Sequence, residues 1–133
     1  MADAPQSLTG MPFSDLMGVE ILEREKTRVV GRLTVRADLC TSGGILHGGA
    51  YMAFADALGA IGGVLNLAPG THTTTLESKT NFLRGAPVGS VVTGEATPLH
   101  VGRRSSVWQT RLTNAEGKLL ALVTQTQMTI EAA

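Results

Sequence analysis

Hydrophobic and polar positions divide the chain into stretches of different period. Residues 1–12 show none: they are small and polar, carry Pro5, Gly10 and Pro12, and are expected to form a flexible tail. Residues 12–18 suit one short helical turn, with Ser14 or Asp15 as cap and Gly18 as stop. Residues 19–26 and 27–37 read as two strands. In the second, Val29, Gly31, Leu33, Val35 and Ala37 share one face, and Arg28, Val30, Arg32, Thr34 and Arg36 the other. The three arginines read as a solvated face.

The period then changes. Within residues 49–65, Tyr51, Phe54, Leu58, Ile61 and Leu65 recur at steps of three and four, the spacing of a helical stripe that lies against a sheet. The other side of that helix holds Gly49, Met52, Ala53, Asp56, Gly59, Ala60 and Gly63, a face on which a backbone or slender ligand can come close. Pro69 and Gly70 close the segment. Period two follows in residues 71–83, 88–101, 105–113 and 119–130, with turns at Gly85, Gly89 and 114–117. Two strands, a long helix and four strands make an α+β domain, one helix on an antiparallel sheet. A membrane span is the competing reading of the helix. The apolar run falls short of the usual 18 or more residues unless Asp56 and Asn66 are included.

Composition narrows the picture. The 133 residues suit one domain, taken as 13–131. Eleven basic and eleven acidic side chains cancel. That balance argues against a nucleic-acid footprint and against a polybasic membrane anchor. One cysteine, Cys40, forms neither an internal disulfide nor a multi-cysteine zinc site. With His47, His72 and His100 scattered, no metal is expected. No secretory signal is visible at the N-terminus, so a cytoplasmic setting is the default.

Charge is distributed unevenly. Residues 39–76 contain one formally charged side chain, Asp56, where the overall 17% share of charged residues would put about six. Asp56 could face water, or be a buried structural carboxylate that caps a loop. Burying an unpaired carboxylate is costly, which makes a functional role the usual explanation. The helix start, Ser42 to Gly49, is glycine-rich. Free N–H groups there can hold a phosphate or a developing oxyanion, and Gly48 and Gly49 let a ligand reach them. Asp56 lies about 12 Å further along the axis at 1.5 Å per residue. Within one subunit that is too far for both to touch one carbonyl carbon. The two groups meet only if two copies pack with antiparallel helices.

The stretch Gly44-Ile45-Leu46-His47-Gly48-Gly49, followed by an acid nine residues after the histidine, resembles the hotdog-fold acyl-CoA thioesterases. So do Asn81-Phe82-Leu83-Arg84 and Pro98-Leu99-His100-Val101-Gly102-Arg103. The phenylacetate-pathway, 4-hydroxybenzoyl-CoA and 1,4-dihydroxy-2-naphthoyl-CoA thioesterases are the nearest types, and the resemblance runs from about Phe13 to Ile130. It implies a long helix wrapped by a five- or six-stranded antiparallel sheet. It implies a homodimer with a continuous sheet, often paired into a tetramer. Gly48 would polarise the thioester carbonyl, and Asp56 of the second subunit would act as nucleophile or as general base. His47 would orient the loop or line the pocket. Gly49, Thr75, His100, Gly102, Arg103 and Arg104 would contact substrate, the arginines through coenzyme A phosphates. Coenzyme A is part of the substrate, and no separate cofactor is implied. The sequence departs from the pattern at Thr41, where some relatives carry Asn or Gln, and at Ala60, where a relative has Ser or Thr. Thr75 is positioned to supply a hydroxyl instead. Rival readings are a hotdog enoyl-CoA hydratase or dehydratase and a non-catalytic acyl-CoA-binding module.

Overall fold

The computed structural model describes residues 9–131. Its elements follow the periods closely: α1 (Pro12–Met17), β1 (Glu20–Glu25), β2 (Arg28–Thr34), α2 (Gly48–Leu65), β3 (Thr71–Phe82), β4 (Val91–Val101), β5 (Ser105–Thr113) and β6 (Leu119–Glu131). A single 3-10 turn, Ala37–Leu39, follows β2. All six strands join one antiparallel sheet in the order β1-β2-β4-β5-β6-β3. The long helix lies across one face, as the hotdog arrangement requires.

Close approach decides how α2 sits. Gly31 of β2 and Gly94 of β4 face each other across the sheet. Together they leave a hollow filled by Phe54 and Leu58. A Cβ at Gly94 would stand 2.5 Å from Leu58, and one at Gly31 2.9 Å from it. Phe54, Ala55 and Leu58 are wholly buried as a result. Although α2 is long and apolar enough to cross a membrane, this seating makes it the core helix of the sheet. Further along, Gly62 lies flat on the indole of Trp108, which is also wholly buried and donates its N–H to Ser106.

Several local expectations are corrected. The cap of α1 is Met11, with no side-chain bond to the helix; Gly18 ends it in the left-handed region at φ 89°. Asp15 instead accepts from the backbone N–H and the hydroxyl of Thr9, both at 2.7 Å. Thr9 is buried there and Pro12 opens α1, so the expected tail is tied to the fold from Thr9 onward, while residues 1–8 lie outside the described residues. β4 begins at Val91 because residues 87–90 form a turn, with the Gly89 N–H on the Val35 carbonyl. The arginine face of β2 is ion-paired as well as solvated: Arg28 bonds Glu23 and Glu95, and Arg32 bonds Glu20. Those partners come from neighbouring strands, which one-strand patterning does not reveal.

β3 occupies the far edge of the sheet and pairs only with β6. A bulge at Leu76 interrupts the pairing between Thr75 and Glu77. The extra residue keeps Thr71, Thr73 and Thr75 on the same face as Ser78 and Thr80, the half-buried side toward α2. The opposite positions are exposed.

The Gly62 contact makes a testable demand. A Cβ at Gly62 would come within 2.6 Å of the Trp108 ring. Alanine gains roughly 1 kcal/mol of helix propensity but overpacks the core at a cost of about 1–3 kcal/mol. Gly62→Ala is therefore expected to lower the urea midpoint despite its better helix propensity. An equal or higher midpoint would mean that Trp108 has room to move.

Candidate active site

The helix start is built by its flanking chain. Residues Thr41 to Ile45 turn back on themselves, with Thr41 N–H on the Ile45 carbonyl at 2.8 Å. The His47 N–H then bonds the Leu39 carbonyl, and Leu46 N–H the Ala86 carbonyl. These bonds deliver His47 as the N-cap. Its Nδ1 accepts from the Gly49 N–H at 2.8 Å, so the ring is a capping group. α2 begins one residue earlier than its stripe suggested. The Gly48 N–H has no hydrogen-bond partner among the described residues. It is one of the donors a helix N-terminus leaves unmade, at the positive end of the helix dipole.

A cleft of about 340 Å3 opens beside that amide, lined by Thr41, Ile45, Gly48, Tyr51, Phe82 and Arg84 among others. The Phe82 ring stands where a Cβ at Gly48 would be 3.2 Å from it, and packs edge-on to Tyr51. Tyr51 donates its hydroxyl to the Arg84 carbonyl at 3.0 Å and so ties the 82–85 segment to the helix. Burial pushes the Tyr51 phenol above its ordinary value, which keeps it a neutral donor. On the other side of His47 and Gly49 lies a more apolar cleft of about 520 Å3, walled by Phe13, Leu16, Met17, Leu39, Cys40 and Ala50. The helix N-terminus thus has a recess on each side.

Asp56 lies two turns down α2 and is half-buried. The Thr75 hydroxyl donates to its Oδ1 at 2.8 Å, and Gln125 Nε2 donates to the same oxygen at 3.0 Å. Oδ2 has no partner among the described residues. Behind Thr75, Gln127 Nε2 lies 2.6 Å from its Oγ1. The Thr73 hydroxyl lies 3.0 Å from Gln127 Oε1 and 3.1 Å from the Met128 carbonyl. Both glutamines are buried, 1% exposed each.

The small face of α2 is therefore not vacant. Gln125 covers Gly59 and Gln127 covers Gly63, filling from this chain's own sheet the space the sequence left for another backbone or a ligand. Neither glutamine was singled out in the sequence. The available signal was their place in β6, on the same side as Ala121 and Val123 and therefore facing the helix.

The remaining candidates fall elsewhere. Gly102, Arg103 and Arg104 line a cleft of about 510 Å3 with Asn66, Thr71 and Glu131, at the C-terminal end of α2. His100 is adjacent on β4, its ring against Gly102. Arg103 and Arg104 are exposed, and their guanidinium groups have no ion-pair partner among the described residues. One chain thus holds three separate groups: the Gly48 amide at one helix end, Asp56 midway, and the arginines at the other end. Among the described residues, no three His, Cys, Asp or Glu cluster as metal ligands.

Helix and sheet order agree with comparisons to known proteins. The thioesterase superfamily profile matches residues 43–121, from the turn before His47 to the first residues of β6. The chain belongs to the thioesterase superfamily. It is 30% identical over 112 residues to a 1,4-dihydroxy-2-naphthoyl-CoA hydrolase of Listeria monocytogenes, covering 84% of this chain and 90% of that one. A Haemophilus influenzae relative is 40% identical over 76 residues, 57% of this chain and 54% of that protein's length. Among solved structures, a mutant thioesterase of Pseudomonas aeruginosa superposes with a TM-score of 0.85 at 28% identity, covering 90% of this chain and 86% of that one. The fold is the hotdog fold of these enzymes, and the chain is a thioester hydrolase.

Seating Gln125 over Gly59 carries a direct consequence for this thioesterase. A Cβ at Gly59 would stand 2.2 Å from Gln125 Oε1. Gly59→Ala is expected to push the Gln125 amide off Asp56. A crystal structure of the variant that still shows the Gln125–Asp56 bond would contradict this.

Proposed function

We propose that this thioesterase hydrolyses acyl-CoA thioesters at sites shared between two copies of the chain. The observation that carries the proposal is the pairing of a free helix N-terminal amide, Gly48, with a carboxylate, Asp56, whose Oδ1 is held and whose Oδ2 is open. Thioester hydrolysis needs both functions: a donor for the carbonyl oxygen as it gains negative charge, and a carboxylate to attack or to take a proton from water. The Gly48 N–H and the dipole of α2 supply the first. Asp56 supplies the second, either by attacking the carbonyl carbon or by activating water. The coenzyme A thiolate then leaves; where Asp56 has attacked, water hydrolyses the acyl–Asp56 anhydride, which frees the acid and restores the carboxylate. His47 supports the reaction by capping the turn that presents Gly48.

Two arguments support a second subunit. Gly48 and Asp56 are about 12 Å apart along one axis at 1.5 Å per residue, so one chain cannot bring both to a single carbonyl. β3, twelve residues long and paired on one side only, offers a free sheet edge to a second copy. An antiparallel arrangement places the amide of each helix opposite the acid of the other. Arg103 and Arg104 suit the phosphates of coenzyme A, since a guanidinium fork matches phosphate geometry. The acyl group then occupies a recess beside the helix N-terminus.

Asp56→Asn is expected to lower kcat for acyl-CoA hydrolysis by about 10²–10⁴-fold, the usual worth of a positioned acid or base. Binding of the thioester should survive. Thiol release, followed colorimetrically over aryl, short and medium-chain CoA esters, measures it. Wild-type turnover in Asp56→Asn removes the residue from the mechanism.

The shared site has its own test. Gly48→Val blocks the amide, so it and Asp56→Asn are each inactive alone. Unfolded together and refolded, half the dimers are mixed, and each mixed dimer has one intact site. Roughly a quarter of wild-type activity should return, given the two-fold symmetry of such a dimer. No recovery would place both groups in one chain's site.

A further inference from the structure

We infer that Gln125 and Gln127 of β6 are positioning residues for the Asp56 carboxylate; the inference rests on the reading of Asp56 as the reacting carboxylate. Hydrogen-bond direction carries the inference. A carboxylate only accepts, so the Thr75 hydroxyl must spend its single proton on Oδ1. Its oxygen then has only lone pairs left, and Gln127 Nε2 donates to it at 2.6 Å. With its nitrogen committed, Gln127 turns its Oε1 to the Thr73 hydroxyl at 3.0 Å. Donors are thus aligned in one direction, from Gln127 through Thr75 to Asp56, while the single Thr73 proton has both Gln127 Oε1 and the Met128 carbonyl within reach. Such chains strengthen one another away from water, and both amides are only 1% exposed.

Gln125 provides the independent observation. Its Nε2 reaches Oδ1 at 3.0 Å, while its own Oε1 is buried without a hydrogen-bond partner. An amide chosen for packing alone would not strand an acceptor. This one does, because the carboxylate dictates which end of the amide faces it. Two donors on Oδ1 fix the plane of the carboxylate and leave Oδ2 directed away from the chain's own groups.

The test compares Gln127→Leu, Thr75→Val, their combination and Thr75→Ser in the full-length enzyme, each also in an Asp56→Asn background. Thiol release from a CoA ester that the wild type hydrolyses gives kcat and KM. Gln127→Leu and Thr75→Val should each lower kcat about tenfold, the worth of a hydrogen bond to a charged group, with KM within about twofold. Because Gln127 acts through Thr75, the double variant should be no slower than the worse single one. Thr75→Ser should recover most of what Thr75→Val loses. In Asp56→Asn, none of the changes should alter the residual rate. Losses that multiply in the double variant, or that persist unchanged in Asp56→Asn, show a merely structural role and overturn the inference. If Gln127→Leu does not fold, Gln127→Met, which keeps the side-chain length, replaces it in the single and double variants and is read by the same two criteria. Full turnover in Asp56→Asn itself overturns the reading of Asp56, and the inference with it. An inactive Asp56→Asn beside a fully active Gln127→Leu overturns the inference alone.

Discussion

The distance between α2 and the sheet governs the molecule. Phe54 and Leu58 sink into the hollow left by Gly31 and Gly94, and Gly62 rests on Trp108. A helix carried on ordinary side chains would ride higher, and side chains of β6 would then stop short of its small face. At the observed separation, Gln125 and Gln127 reach across Gly59 and Gly63. Packing and chemistry share one cause here: the close approach that Gly31, Gly94 and Gly62 permit also lets the Gln125 amide reach Asp56 over Gly59 and lets Gln127 reach Thr75 beside Gly63.

Much of this was legible in the sequence. The steps from Tyr51 to Leu65 marked the helix and its buried stripe, and the alternation after Thr71 marked the strands. Asp56 stood out because residues 39–76 hold no other formal charge. Thr75 was expected to offer a hydroxyl, and it lies on Asp56 Oδ1. What stayed hidden depended on strand order. Nothing local says that β3 crosses to the far edge and pairs with β6. That pairing brings Gln127 opposite Thr75 and Gln125 opposite Ser78. Without it, two glutamines in a threonine-rich strand look like ordinary strand polarity, and the glycines of the helix look like free space.

The separation of the functional groups along one chain is equally a product of the fold. An 18-residue helix holds Gly48 and the Arg103–Arg104 segment at opposite ends, with Asp56 between. Membership of the thioesterase superfamily accounts for the scaffold and the hydrolytic class. Two recesses flank His47 at the start of the helix. One is walled by Phe82 and Tyr51, and the other by Phe13, Leu16 and Met17.

α2 also has an unusual relation to its own stability. Five of its eighteen residues are glycine, three of them in the interior. Each interior glycine costs a helix close to 1 kcal/mol relative to alanine. Taken alone, this segment has too little intrinsic helicity to hold its shape in water. During synthesis it leaves the ribosome before β3, β4, β5 and β6 exist to receive it. Its winding therefore depends on the hollow and the indole surface of the sheet, which residues on both sides of it in the chain supply. Until it winds, Tyr51, Phe54 and Leu58 belong to an unstructured apolar ribbon, the stretch of the newborn chain most in need of shelter from its neighbours.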